Sequence, residues 1–162
     1  MNNQVLVKSF MESVNKIDNS QLDINDLNTK DIKNIKLRLT LMLEKTQELF
    51  ESILDSSEAN FVYNPLFNIL KKQIHLLNEK DIDIKKEQIA TYLADSNYIN
   101  YGTAVLFNIP LQQCFLEIHK ANMTKVTSFV GSPIYREDGK LLYDSSYTPP
   151  NIKSILDSYT SD

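Results

Sequence analysis

Four carboxylates recur at a spacing that could hold a cation. Glu44, Glu48, Glu51 and Asp55 stand four, three and four residues apart, which places them along one face of a helix. Hard divalent cations take oxygen ligands of this kind, although the solvated side of an amphipathic helix carries the same pattern. A fifth carboxylate, Asp95, lies within YLADSNYINYG, a mostly apolar and aromatic stretch where an unpaired charge is costly to bury. It calls for a donor, a metal or water. In CFLEIHKANMTKV, Glu117, Lys120 and Asn122 approach the end of an amphipathic segment with Lys125 just beyond. These lysines and the asparagine are plausible anion ligands. His75 and His119 stand singly, His75 without Cys or acidic neighbours at metal-ligand spacing, and both read as surface or structural residues. The sequence has no Ser or Cys nucleophile arrangement and no glycine-rich phosphate loop, so covalent nucleophilic catalysis is not expected.

The elements that must position these groups are helices. Only three glycines interrupt the 162 residues, and the five prolines fall at 65, 110, 133, 149 and 150. Val5, Phe10, Val14 and Ile17 predict a first helix over about 3–17. A polar loop follows to Asn28. Thr29 is the expected N-cap of a longer helix to about Ser56, with Asp31 in its first turn and a core-facing stripe of Ile35, Leu39, Met42, Leu49 and Ile53. Pro65 opens a third helix that ends before NEKDIDIKKE. A fourth runs from about Lys85 to Phe107, with Gly102 read as a close approach to a neighbouring backbone. Pro110 opens the fifth, through Leu111, Phe115, Ile118 and Met123. PIYREDGKLLY reads as two short strands joined at Asp138 and Gly139, and Pro149-Pro150 announces one last short helix. The expected fold is all-α: a single domain over 1–162 with about five bundled helices, then a tail over 126–162 with a small C-terminal β-hairpin and a short helix.

Composition narrows the setting. A chain of this length buries enough surface to need no disulfide or metal staple, and the lone Cys114 allows no intramolecular disulfide. With 17 Lys+Arg against 21 Asp+Glu, the net negative charge argues against nucleic acid as a partner. No leader-like N-terminus and no long apolar run occur, which points to the cytoplasm and away from a membrane.

Four segments together resemble one family, the all-α nucleoside triphosphate pyrophosphohydrolases that include MazG and phosphoribosyl-ATP pyrophosphohydrolase. LADSNYINYGTAVLFNIP is similar to that family's second metal helix, CFLEIHKANMTKV to the helix that follows, and GSPIYREDGKLLYDSSYTPPNI to the closing tail of one subgroup. RLTLMLEKTQELFESI corresponds to the first metal helix, so the resemblance covers roughly 30–56 and 88–156. It implies four magnesium-binding carboxylates, in an E-x-x-E and a later E-x-x-D. The bound metal would neutralise a triphosphate and activate a water that releases pyrophosphate and leaves a monophosphate. Aligned on Glu48-Leu49 and on LAD, the four positions are Lys45, Glu48, Tyr92 and Asp95. Two carboxylates are missing and one is a cation. Shifted by one turn, Glu48 and Glu51 form the first pair with Glu44 beside them, which leaves Glu44, Glu48, Glu51 and Asp95 as metal ligands if the protein is active.

By position, the resemblance makes Asn122 and Lys125 phosphate contacts and sets Tyr98 beside the second motif. Lys120 stands where relatives carry an arginine that can grip phosphate in two places. Lys45 would pair with phosphate in place of metal, Tyr92 would offer a donor and a stacking surface, and Arg136 and Tyr147 would close over the ligand. An alternative for Arg136 is a local pair with Glu137 or Asp138, and Lys140 reads as solvated. The expected function is therefore binding and sequestration of a phosphorylated nucleotide without hydrolysis, with no cofactor required. By analogy, it would suit a viral protein in the host cytoplasm that soaks up immune signalling nucleotides. The alternative is an active magnesium-dependent pyrophosphohydrolase. The resemblance also implies a homodimer or homotetramer.

Overall fold

The computed structural model describes residues 2–15, 27–127, 134–143 and 147–160. Helices α1 (Asn3–Asn15), α2 (Thr29–Ile53), a single turn α3 (Ser56–Glu58), α4 (Asn64–Leu76), α5 (Lys86–Leu106), α6 (Leu111–Thr127) and α7 (Ile152–Ser158) follow in order. A π-helical turn over Ala59–Tyr63 leads into α4, and a 3-10 turn over Glu79–Asp81 leads towards α5. The fold is all-α, as expected. The 16–17 end of the first helix and most of the loop before α2 lie outside the described residues.

Local chemistry explains most boundaries. Asn28, rather than Thr29, caps α2: its side chain accepts from the Lys30 and Asp31 amides at 2.9 and 3.1 Å, and Asp31 returns a bond to the Asn28 amide at 3.1 Å. This capping box satisfies three N–H groups that the helix cannot pair internally. Pro65 falls at the start of α4, where its missing N–H costs nothing. Asn108, with φ at 52°, turns the chain from α5 to α6, a left-handed conformation that asparagine tolerates better than most residues.

The chain divides into two compact units. One contains α2, α3, α4 and the short segment Tyr135–Lys140. Its centre is aromatic: Phe50 of α2 lies 4.9 Å from Tyr63 and 5.8 Å, edge-on, from the buried Phe67. Gln47 bridges to Asn64 at 2.9 Å, and Lys36 donates to the His75 carbonyl at 2.9 Å. Since α4 and the π turn cover the Phe50 side of α2, most of the stripe read as core-facing, namely Leu39, Met42, Leu49 and Ile53, is exposed.

The other unit contains α1, α5, α6, α7 and the tail from Leu141. Here α6 packs on α1 and α7, and Ala104, Cys114 and Ala121 are buried. Small residues at these points let backbones approach. Helix α5 leaves Ile89, Leu93, Ile99, Val105 and Leu106 exposed. Consistent with that exposure, a Cβ at Gly102 would meet nothing within 4 Å, so Gly102 marks no close approach.

The C-terminal hairpin is not formed among the described residues, where no strand occurs. Tyr135 and Leu141 are isolated bridge positions, and the Leu142 amide reaches the Ile134 carbonyl at 2.9 Å. Between them lies a tight turn, closed by Arg136 N–H to Lys140 C=O and Gly139 N–H to Arg136 C=O, both at 2.8 Å. An isolated two-stranded ribbon is marginal in water, and this turn is held by ion pairs instead.

Candidate functional site

The carboxylates of α2 are engaged one by one. Glu44, whose side chain is only 15% exposed, accepts from Arg136 Nη2 at 2.8 Å and from Lys140 Nζ at 2.7 Å. Arg136 also grips Asp138 through Nε at 2.9 Å and Nη2 at 2.5 Å. Burial pushes the Glu44 carboxyl up, but Lys140 and Arg136 together outweigh it and hold it below the ordinary glutamate value. The hydrogen bond from Arg136 holds Asp138 below the aspartate value against the effect of its burial. The same bond, with Glu44 adding to it and desolvation opposing, raises Arg136. Gly139 allows the turn to lie flat on α2: its φ is +94°, and a Cβ there would stand 3.7 Å from Leu37 and from Lys33. Arg136 thus pairs with Asp138, one of the two local partners expected, and also with Glu44. Lys140, read as solvated, is a direct partner of Glu44.

One turn along α2, Lys45 Nζ meets Glu48 Oε2 at 2.7 Å, with side chains 68% and 56% exposed. Pairs of this kind, three residues apart on a helix surface, are weak and easily exchanged. Glu51 accepts from Gln47 at 2.9 Å, and Asp55 accepts the Ser57 amide at 2.8 Å and hydroxyl at 2.5 Å. Those Ser57 bonds lower the Asp55 pKa. Among the described residues no group of three His, Cys, Asp or Glu side chains could hold a metal ion. The donors on α2 therefore fit a magnesium centre poorly: Glu44 is neutralised by two cations, and a third, Lys45, stands beside Glu48.

In the other unit, Tyr92, Asp95 and Tyr98 follow each other at three-residue steps on α5, all exposed. Asp95 is thus solvated rather than buried among apolar side chains. On α6, Lys120 lies 3.7 Å from Glu117, and Asn122 is half-buried. The α6 face bearing Glu117, Ala121, Thr124 and Lys125 receives the tail. Glu117 accepts the Asn151 amide at 3.1 Å, and the Thr124 hydroxyl accepts the Thr148 amide at 3.2 Å. Lys125 Nζ lies 5.0 Å from the centre of the Tyr147 ring and 5.6 Å from that of Tyr143. His119 stacks flat beside Phe115 at 6.5 Å, and His75 is exposed. Among the described residues neither joins a group of three ligating side chains.

The model of the phosphoribosyl-ATP pyrophosphohydrolase family matches residues 8–122 of the 162. The chain belongs to that family. No curated protein and no solved structure matches it. The family match includes α2, α4 and α5 whole and α6 as far as Asn122, and it ends before Lys125 and the tail. Of the residues that the resemblance selects, the structure joins Lys45 to Glu48, Arg136 to Glu44 and Lys125 to Tyr147. Lys140 and Tyr143 were not selected. Tyr143 stands four residues before Tyr147, a weak signal in an extended tail. Lys140 gives no local signal, because its partner is 96 residues away. No helix among the described residues is long and apolar enough to cross a membrane.

Proposed function

We propose that this member of the phosphoribosyl-ATP pyrophosphohydrolase family binds a phosphorylated nucleotide and retains it without hydrolysis. The observation that carries this reading is the state of α2. Glu44 is closed by Arg136 and Lys140 at 2.8 and 2.7 Å, and Glu48 by Lys45 at 2.7 Å. A helix whose carboxylates face three cations offers magnesium little of the negative charge that it requires. An arriving polyphosphate, by contrast, finds cations already in place. Lys45 exchanges the exposed Glu48 for phosphate, and within the other unit Lys120, Asn122 and Lys125 are side chains of the same anion-binding chemistry. In that other unit Tyr92 and Tyr98 present exposed rings suited to stacking. No step of this binding passes through a metal, so the reading includes no cofactor and no turnover.

The same reading places the protein in the cytoplasm as a sponge for signalling nucleotides, without nucleic-acid or membrane partners. Exposed apolar side chains on α2 and α5, with Val105 at 81% and Leu106 at 78%, support a homodimer or homotetramer, since faces of this kind on soluble proteins mark contacts. The test is calorimetric titration of the four common ribonucleoside triphosphates, a cyclic dinucleotide and a cyclic ADP-ribose, each in magnesium and in excess EDTA. The reading expects at least one ligand held with affinities that agree within a few-fold between the two buffers. Binding or cleavage that appears only with magnesium supports the active pyrophosphohydrolase instead.

A further inference from the structure

Helices α2 and α4 each carry a second apolar stripe besides the one that joins them. On α2 it comprises Leu39, Met42, Thr46, Leu49 and Ile53, spaced three, four, three and four residues apart, with the apolar side chains 38–54% exposed. Val62 of the π turn leads into the α4 stripe of Leu66, Ile69, Gln73 and Leu76, at steps of four, three, four and three, with the apolar side chains 48–58% exposed. Alternating steps of three and four make the seam of a helical bundle. No seam position carries a charge, and Thr46 donates its hydroxyl to the Met42 carbonyl at 3.0 Å.

Both stripes lie on one side of the pair. Helices α2 and α4 run antiparallel: Lys36, early in α2, reaches the carbonyl of His75, late in α4, while Phe50, late in α2, meets Tyr63 and Phe67 at the start of α4. In each helix the open residue immediately precedes the packed one, as Leu49 precedes Phe50 and Leu66 precedes Phe67. One residue is a rotation of about 100°, and in antiparallel helices the same rotation turns both stripes to the same side. The outcome is one continuous two-helix apolar face. Glu44 stands two residues from both Met42 and Thr46, about 160–200° round α2, so Glu44 and the 135–140 turn bonded to it occupy the far side.

With Leu70 beside them, these half-open apolar side chains offer roughly 400–500 Å² of apolar surface per copy. A homodimer interface is about 65% apolar, so the whole contact covers roughly 1,200–1,500 Å² over two copies, which is the size of a stable interface. A second copy suits the face for a further reason. An antiparallel pair with equivalent stripes has an approximate twofold axis through its open side, and two such faces meet by the self-complementary contact of a twofold dimer. We infer that this face is where two copies of the chain meet, their α2 and α4 pairs closing into a four-helix bundle with Glu44 and its cations left outside. This rests on the assembly part of the reading above, not on nucleotide binding, and adds which surface makes the contact. Val105 and Leu106 lie in the other unit, so their contact and this one are lost separately.

The test is light scattering over a dilution series of wild type, L49D/L66D and the milder L49A/L66A, with circular dichroism melts to check folding. L49D/L66D is expected to raise the dissociation constant by about 100-fold or more, and L49A/L66A by about tenfold. At a concentration where wild type is assembled, the mass of L49D/L66D then falls to half or less. Met42 gives a readout that needs no substitution. Limited peroxide oxidation to its sulfoxide, followed by peptide mass spectrometry, should be several-fold slower in assembled wild type than in the form dissociated by dilution. If L49D/L66D fails to fold, L49A/L66A and Met42 decide. A folded variant with the wild-type mass at every concentration, or a Met42 oxidised equally fast in both forms, overturns the inference and leaves assembly to another surface. A wild type that is monomeric throughout overturns the assembly reading with it and gives the face to a different occupant, while nucleotide binding stands.

Discussion

Replacing Glu44 by Gln removes a carboxylate that joins the 135–140 turn to α2. Gln keeps the shape and one acceptor but removes the anion that Arg136 and Lys140 share, 2.8 and 2.7 Å away in the native chain, and leaves Arg136 with Asp138. Exposed ion pairs contribute about 0–1 kcal/mol, whereas breaking a fully buried pair costs about 3–5 kcal/mol. With Glu44 15% exposed and its partners at 38% and 34%, the cost should lie between these, at about 1–2 kcal/mol. In a chain of this size each kcal/mol shifts the melting midpoint by roughly 2–4 °C. Glu44 has a folded pKa below its unfolded one, so between those two values the folded state binds fewer protons than the unfolded state. Its contribution is complete above the unfolded value, near 4.5, and is lost as pH drops through the folded value. Urea unfolding followed by far-ultraviolet circular dichroism, which suits a chain without Trp, should show E44Q less stable than wild type at pH 7. The gap should narrow below pH 4.5. A cycle with R136Q should give a coupling of about 1 kcal/mol. An E44Q variant as stable as wild type at pH 7, or a penalty that persists undiminished in acid, would refute the account of the turn.

Other outcomes follow from the same contacts. N28A removes the α2 capping box and should cost about 1 kcal/mol in urea unfolding. G139A forces a Cβ into a backbone with φ of +94° and should cost about 1–2 kcal/mol through backbone strain, since the nearest side chains, at 3.7 Å, leave room. In light scattering, wild type should run as a dimer or tetramer, and a V105D/L106D double variant, altering two side chains that are open in the single chain, should dissociate towards monomer. A monomeric wild type would remove the support for assembly.

The helices were legible because periodic apolar residues and scarce Gly and Pro leave few other choices. Their ends were legible to within a residue or two, as with Asn28 in place of Thr29 as the cap, the usual uncertainty of a helix terminus. The hairpin was misread because IYREDGKLLY carries an alternating pattern and a turn signal, yet local pattern does not reveal that Arg136 and Lys140 find Glu44 in α2. That pairing spans 92 and 96 residues and has no trace in spacing. The acidic ladder was visible, but whether its members faced metal, solvent or cations depended on those distant partners. Gly102 was read as a packing contact because glycine inside a helix often is one, and here α5 leaves that side open. In the site, Lys125 and Tyr147 were each singled out, while Tyr143 emerged only when the tail was seen folded onto α6.

The central claim, retention without cleavage, is tested most directly by mass spectrometry of the nucleotide panel incubated with the protein and magnesium, sampling the filtrate before and after the protein is heated. The account predicts that a nucleotide disappears from the filtrate and returns chemically intact on heating. A triphosphate that returns as monophosphate and pyrophosphate, in amounts exceeding the protein present, would contradict it.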